Sequence, residues 1–115
     1  MRKRSLSVLS AAVLLAGPAV AQVVPNDYPT DARAEYVFAC MAVNGQTQDV
    51  LRRCSCSVDT IASILPYDDY VSAETVLRMR FGGGEAGALF RGSPAMRAIV
   101  ADLRRAQAEA EMLCF

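Results

Sequence analysis

Residues 47–66 read TQDVLRRCSCSVDTIASILP, and this stretch decides the fold. Val50, Leu51, Cys54, Val58, Ile61 and Leu65 recur at helical spacing and form one apolar stripe. Thr47 is placed to cap the helix, Asp49 suits its first turn, and Pro66 stops it. Cys54 lies within the stripe. Cys56 lies about 200° further round, because each residue turns about 100° on a helix. The two cysteines therefore cannot bond to each other in a regular helix, and one facing helix cannot easily receive both. A helix with half-cystines on opposite sides implies a domain of several helices stapled together.

Upstream, a helix is expected from Asp31 to Val43, capped by Thr30 or Asp31 and ended by Asn44-Gly45. Tyr36, Val37, Cys40 and Val43 share one face. The short gap to Thr47 implies an antiparallel hairpin. In that hairpin Cys40 comes level with residues 51–54, which favours Cys40–Cys54 with Cys56–Cys114. Cys114 also falls on an apolar stripe, so Cys40–Cys56 with Cys54–Cys114 stays open. In the favoured pairing the shorter loop stabilises by ~3 kcal/mol and the longer by ~4 kcal/mol in the chain-entropy model.

Downstream, a third helix is expected over 68–80, with Tyr70, Val71, Leu77 and Phe81 on one face and Glu74 at its edge. Glu74 and Arg78 are spaced for an i, i+4 ion pair. Gly82-Gly83-Gly84 ends this helix and opens the longest loop, 82–93. Ser93 and Pro94 begin the last helix, whose stripe is Met96, Ile99, Val100, Leu103, Ala106, Ala110 and Cys114. No segment alternates as a strand does. The expected fold class is all-α, a compact four-helix domain with two disulfides.

The chain has 115 residues, 53% of them hydrophobic, which is enough for one small domain. Residues 1–21 have the layout of a signal peptide: Arg2, Lys3 and Arg4, an apolar run from Leu6 to Val20, and Ala19-Val20-Ala21 before the cleavage point. Residues 22–30 then form a flexible lead-in, and 31–115 the disulfide-stapled helical domain. The apolar run is too short and too interrupted for a stable spanning helix, and its removal is expected to leave no stable membrane anchor. Four cysteines in a short exported chain imply two disulfides and a periplasmic or secreted location.

The whole chain holds 12 basic and 12 acidic residues; removing Arg2, Lys3 and Arg4 leaves 9 against 12, a net charge of −3. A mildly acidic chain without a basic run argues against nucleic acid or anionic lipid as partner. There is no His, which excludes a Ser-His-Asp or Cys-His nucleophilic site and any His-ligated metal or haem.

Few residues suggest chemistry. Cys54-Ser55-Cys56 could act as a dithiol or, with Met41, Met79, Met96 and Met112, bind Cu(I). The pair is mid-helix and not CxxC, so it reads first as two structural half-cystines. Gly82 to Gly87 lacks the Lys-Ser/Thr ending of a phosphate loop. Leu89 and Phe90 either cover the core or form a small apolar contact site beside Arg91. Asp68-Asp69 suits a helix N-terminus. No catalytic residue, metal site or cofactor is expected, and the chain does not read as an enzyme.

Tyr-Val-Phe-Ala-Cys-Met at 36–41, Arg-Cys-Ser-Cys-Ser-Val-Asp at 53–59, Tyr-Val-Ser-Ala-Glu-Thr-Val-Leu-Arg-Met at 70–79 and Cys114-Phe115 carry a resemblance. With them the chain resembles small exported proteobacterial four-cysteine helical proteins. More distantly its architecture is similar to small periplasmic acid-stress chaperones. The resemblance implies no activity and no site residues. The expected role is a small periplasmic binding or accessory protein acting through its surface, with another exported protein, such as a larger periplasmic enzyme or complex, as partner. The alternative is a thiol-redox or copper-handling protein using Cys54 and Cys56.

Overall fold

Thr47 opens its helix as a cap should: its Oγ1 accepts the Val50 N–H at 3.2 Å, satisfying one of the donors that a helix start leaves unpaired. In the computed structural model, which describes residues 26–115, five helices follow one another. They are α1 (Thr30–Asn44), α2 (Gln48–Ile64), α3 (Tyr67–Arg80), α4 (Gly84–Gly92) and α5 (Pro94–Cys114). No strand occurs among the described residues. The expected signal peptide lies outside them.

The core forms where α2 meets α5. Cys54, Ser57, Val58 and Ile61 of α2 are buried, and Val100, Leu103, Ala106 and Ala110 of α5 face them. The small side chains of Ala106 and Ala110 let the two backbones approach closely, and this is the most extensive helix pair among the described residues. Ile61 and Leu103 are fully buried, each gaining about 2–3 kcal/mol from leaving water.

The structure corrects the expected face of α3. Ala73 and Val76 are its buried residues, while Val71 and Phe81 are exposed. The buried face centres on Ala73 and Val76, with Tyr70 and Leu77 of the expected stripe half-buried against the core and Val71 turned away from it. Phe81 lies past the last turn, at the C-cap, where it no longer follows the helical stripe.

The four-helix expectation becomes five helices, because residues 84–92 of the expected loop are helical. Gly87 makes this possible: a Cβ there would collide with the Gly82 carbonyl, so only glycine lets α4 fold back on the turn. Arg80 Nε donates to the Phe90 carbonyl (3.1 Å), and Arg91 Nη1 donates to the carbonyls of Arg80 (2.8 Å) and Gly82 (3.3 Å). Together these bonds hold α4 against the end of α3.

Residues 26–29 are also not the flexible lead-in that their prolines and lack of periodicity suggested. Tyr28 is only 3% exposed, and its hydroxyl donates to the Leu65 carbonyl at 2.9 Å. Its ring packs on those of Tyr67 and Tyr70, with centroids 5.1 and 5.0 Å away. Asp27 Oδ2 accepts the Tyr67 N–H at 3.0 Å and caps α3 from 40 residues away, a cap that Pro66 cannot supply. Lack of helical periodicity excludes a helix, but it does not exclude contacts with the core. The remaining positions of the expected lead-in, 22–25, lie outside the described residues.

α1 differs from the other helices. Its N-cap is Pro29 rather than Thr30 or Asp31, and no side chain caps it. None of its residues is buried. It packs on α2, turns at Gly45 with φ +114°, and is held by a bridge. The bridges join Cys40 to Cys54 (Cα–Cα 5.9 Å) and Cys56 to Cys114 (5.8 Å). These are the two pairs that helix geometry favours. Two bridges in a small helical domain are those of a protein that has met an oxidising environment. No described helix is long and apolar enough to cross a membrane.

Candidate functional site

Tyr36 to Val43 is a run of eight apolar residues on α1. A helix apolar on all sides normally lies inside a protein. Here only one side meets α2, and Phe38 and Val43 are 74% and 85% exposed. α3 packs instead on α5, and an open groove of about 570 Å³ runs between α1 and α3. Tyr36, Ala39 and Val43 line one wall, and Tyr70, Val71 and Glu74 line the other. From Ala32 to Val43 the wall is about 16 Å long at 1.5 Å per residue, the length of three helical turns.

The groove is mildly acidic. Arg78 does not pair with Glu74 four residues earlier, as its spacing suggested. Its Nη2 reaches across to Glu35 Oε1 on α1 at 4.0 Å, an exposed contact of small energetic weight. Glu74 is left without an ion pair or side-chain hydrogen bond among the described residues, facing the groove and half-buried. Burial, followed by the nearby charges of Glu74, the Tyr36 phenol and Glu35, pushes the Tyr70 hydroxyl up to about 12. Burial raises Tyr36 as well, with Glu111 and Glu74 adding to it and the Ser57 hydroxyl offsetting part of the rise. Both phenols therefore stay neutral at physiological pH and remain able to donate a hydrogen bond. The groove favours an occupant that is apolar with a positive charge and disfavours an anionic one.

The residues singled out from sequence do not converge here. Cys54 is fully buried and Cys56 is exposed, on opposite sides of α2 and bonded to different partners. No free cysteine and no cluster of three or more His, Cys, Asp or Glu suited to a metal occurs among the described residues. Leu89, Phe90 and Arg91 all lie on α4, but they divide: Leu89 is exposed, Phe90 is half-buried, and Arg91 is engaged with two carbonyls. Asp68 and Asp69 lie exposed in the first turn of α3, where they suit the helix dipole. The groove residues Tyr36, Tyr70, Val71 and Glu74 were not recognised from sequence as a site. A signal was present in the unbroken apolar run of α1, which one amphipathic face cannot use up. No family model, no curated protein and no solved structure matches the chain.

Proposed function

We propose that the protein is a small exported binding or accessory protein that takes a helical segment of a partner protein into the groove between α1 and α3. The observation that carries this reading is the apolar run of α1, none of whose side chains is fully buried within its own chain and whose Phe38 and Val43 stand exposed. An amphipathic helix of about three turns places apolar residues at i, i+3 and i+7, matching the length of the groove. A Lys or Arg on that helix would meet Glu74, the carboxylate without an ion pair. The partner is another exported protein, in the periplasm or outside the cell, and no catalysis is involved.

The test is a photo-crosslinking amino acid placed at Val71 in the groove, or at exposed Glu109 on α5 as a control, in cells that export the protein. A discrete adduct from position 71 alone, lost on Val43→Asp, is the expected result. Equal adducts from both positions, or none from position 71, would defeat the reading.

The second reading, thiol-redox or copper chemistry at Cys54 and Cys56, draws on the exposure of Cys56. It requires both bridges to open, because each cysteine is bonded elsewhere. Thiol alkylation during graded reduction, read by intact mass, separates the two. Structural bridges leave all four cysteines unlabelled until reduction is strong, whereas a working dithiol labels early.

A further inference from the structure

The net charge of the chain averages over two unlike regions. Residues 78–97 carry Arg78, Arg80, Arg91 and Arg97 against Glu85 alone, a net +3. The rest of residues 26–115 carries five Arg and eleven acidic residues, a net −6. The fold gathers the positive segment at the corner where α3, α4 and α5 meet.

Three of these arginines are oriented without being neutralised. Arg80 and Arg91 donate to main-chain carbonyls of the corner, as described above, and Arg97 Nη1 donates to the Gly92 carbonyl at 3.0 Å. None of the three forms an ion pair among the described residues. By contrast Arg52, Arg53 and Arg105 all pair with acids. A guanidinium bound to a neutral carbonyl keeps its charge and has further N–H groups to offer. At the same corner Phe81 is 90% exposed, Leu89 is 64% exposed, and Met79 is also open to solvent.

We propose that this corner is a docking surface for an anionic lipid bilayer. Phe81 and Leu89 enter the acyl boundary, and the guanidiniums of Arg80, Arg91 and Arg97 meet lipid phosphates. The charge is complementary, and protruding apolar side chains beside unpaired cations suit the headgroup region. The shape favours a bilayer over an acidic protein. Phe81 projects from a tight glycine turn, and a fluid bilayer receives such a projection without needing a matching hollow. The sequence-level argument against anionic lipid relied on net charge and the absence of a basic run. Arg80, Arg91 and Arg97 form no basic run because uncharged residues and Glu85 separate them, but the fold sets all three at one corner.

The test is co-sedimentation of the folded, disulfide-bonded protein with vesicles. One set is phosphatidylcholine with roughly one third phosphatidylglycerol, and the other is phosphatidylcholine alone. Binding is expected to the anionic vesicles only and should fall steeply as salt rises to roughly 0.5 M. Phe81→Ser with Leu89→Ser replaces two exposed side chains, and circular dichroism checks that the fold is kept. This double variant should bind about 10-fold more weakly. No binding to anionic vesicles at low salt, or equal binding by the double variant, overturns the proposal. Binding to immobilised poly-glutamate that needs Phe81, without vesicle binding, also overturns it and assigns the corner to an acidic protein.

Discussion

α1 and α5 each carry a half-cystine bonded to α2, yet they are held in opposite ways. α5 buries four of its 21 residues, while α1 buries none of its 15. At α5 the bridge reinforces a helix that packing already holds. At α1 only half-buried side chains such as Tyr36 and Val37 reach the core, and the bridge adds to that partial packing. A disulfide can thus keep an apolar helix in place while leaving its surface free, which hydrophobic burial cannot do because it consumes the surface it uses.

This contrast can be broken at several points. The largest expected effect is Leu103→Ala in α5, which removes a fully buried side chain and should cost about 4 kcal/mol in urea unfolding of the oxidised protein. The matching change in α1, Phe38→Ala, should stay within about 0.5 kcal/mol. Similar losses at the two positions would show that α1 is part of the core after all.

Next in size is Cys40→Ala with Cys54→Ala, expected to cost about 3 kcal/mol. Hydrogen exchange should sharpen the result. Amides of α1 should lose protection, while those of α2 and α5 keep theirs. Uniform loss across all helices would mean that α1 does not depend locally on its bridge.

A smaller loss than that of the bridge is expected in the segment before α1. Tyr28→Phe removes the hydrogen bond to the Leu65 carbonyl and should cost about 1–2 kcal/mol. Tyr28 also links stability to pH. Burial, with Tyr70, Asp27, Asp69 and Tyr67 adding to it, raises its hydroxyl well above the usual tyrosine range, and Tyr70 is pushed up to about 12. The unfolded chain loses these protons from about pH 10, whereas the folded chain keeps them. The stabilisation is complete below about pH 10 and drains as pH rises through the folded-state values. The Tyr28→Phe variant should therefore lose less stability between roughly pH 9 and pH 11 than the parent does.

Much of the fold was legible because it rests on local rules. Thr47, Pro66 and the stripe from Val50 to Leu65 define α2 without outside information. The angle between Cys54 and Cys56 limits which helices can receive them. The failures have physical causes. Phe81 outweighed Ala73 in reading α3, because hydrophobicity is visible in a sequence and close approach is not. α4 was hidden by its glycines, and Gly87 is required there by the Gly82 carbonyl rather than by a loop. Tyr28 and Asp27 act on residues nearly 40 positions away, beyond any local pattern. The groove was the least legible part, because it depends on two helices that do not pack on each other. Arg78, which reaches Glu35 rather than Glu74, shows the same limit on a single side chain.

The two bridges also set a timetable. The cysteines of one are 14 residues apart in sequence, and those of the other are 58 apart. The shorter loop costs less chain entropy to close, so Cys40 can meet Cys54 as soon as the α1–α2 hairpin forms. Cys56 must wait until α3, α4 and α5 have brought Cys114 round. During that interval Cys56 is carried on the outer side of α2, away from the bridge already made. The early closure removes Cys54 from competition, so the late-arriving Cys114 has one partner left to find.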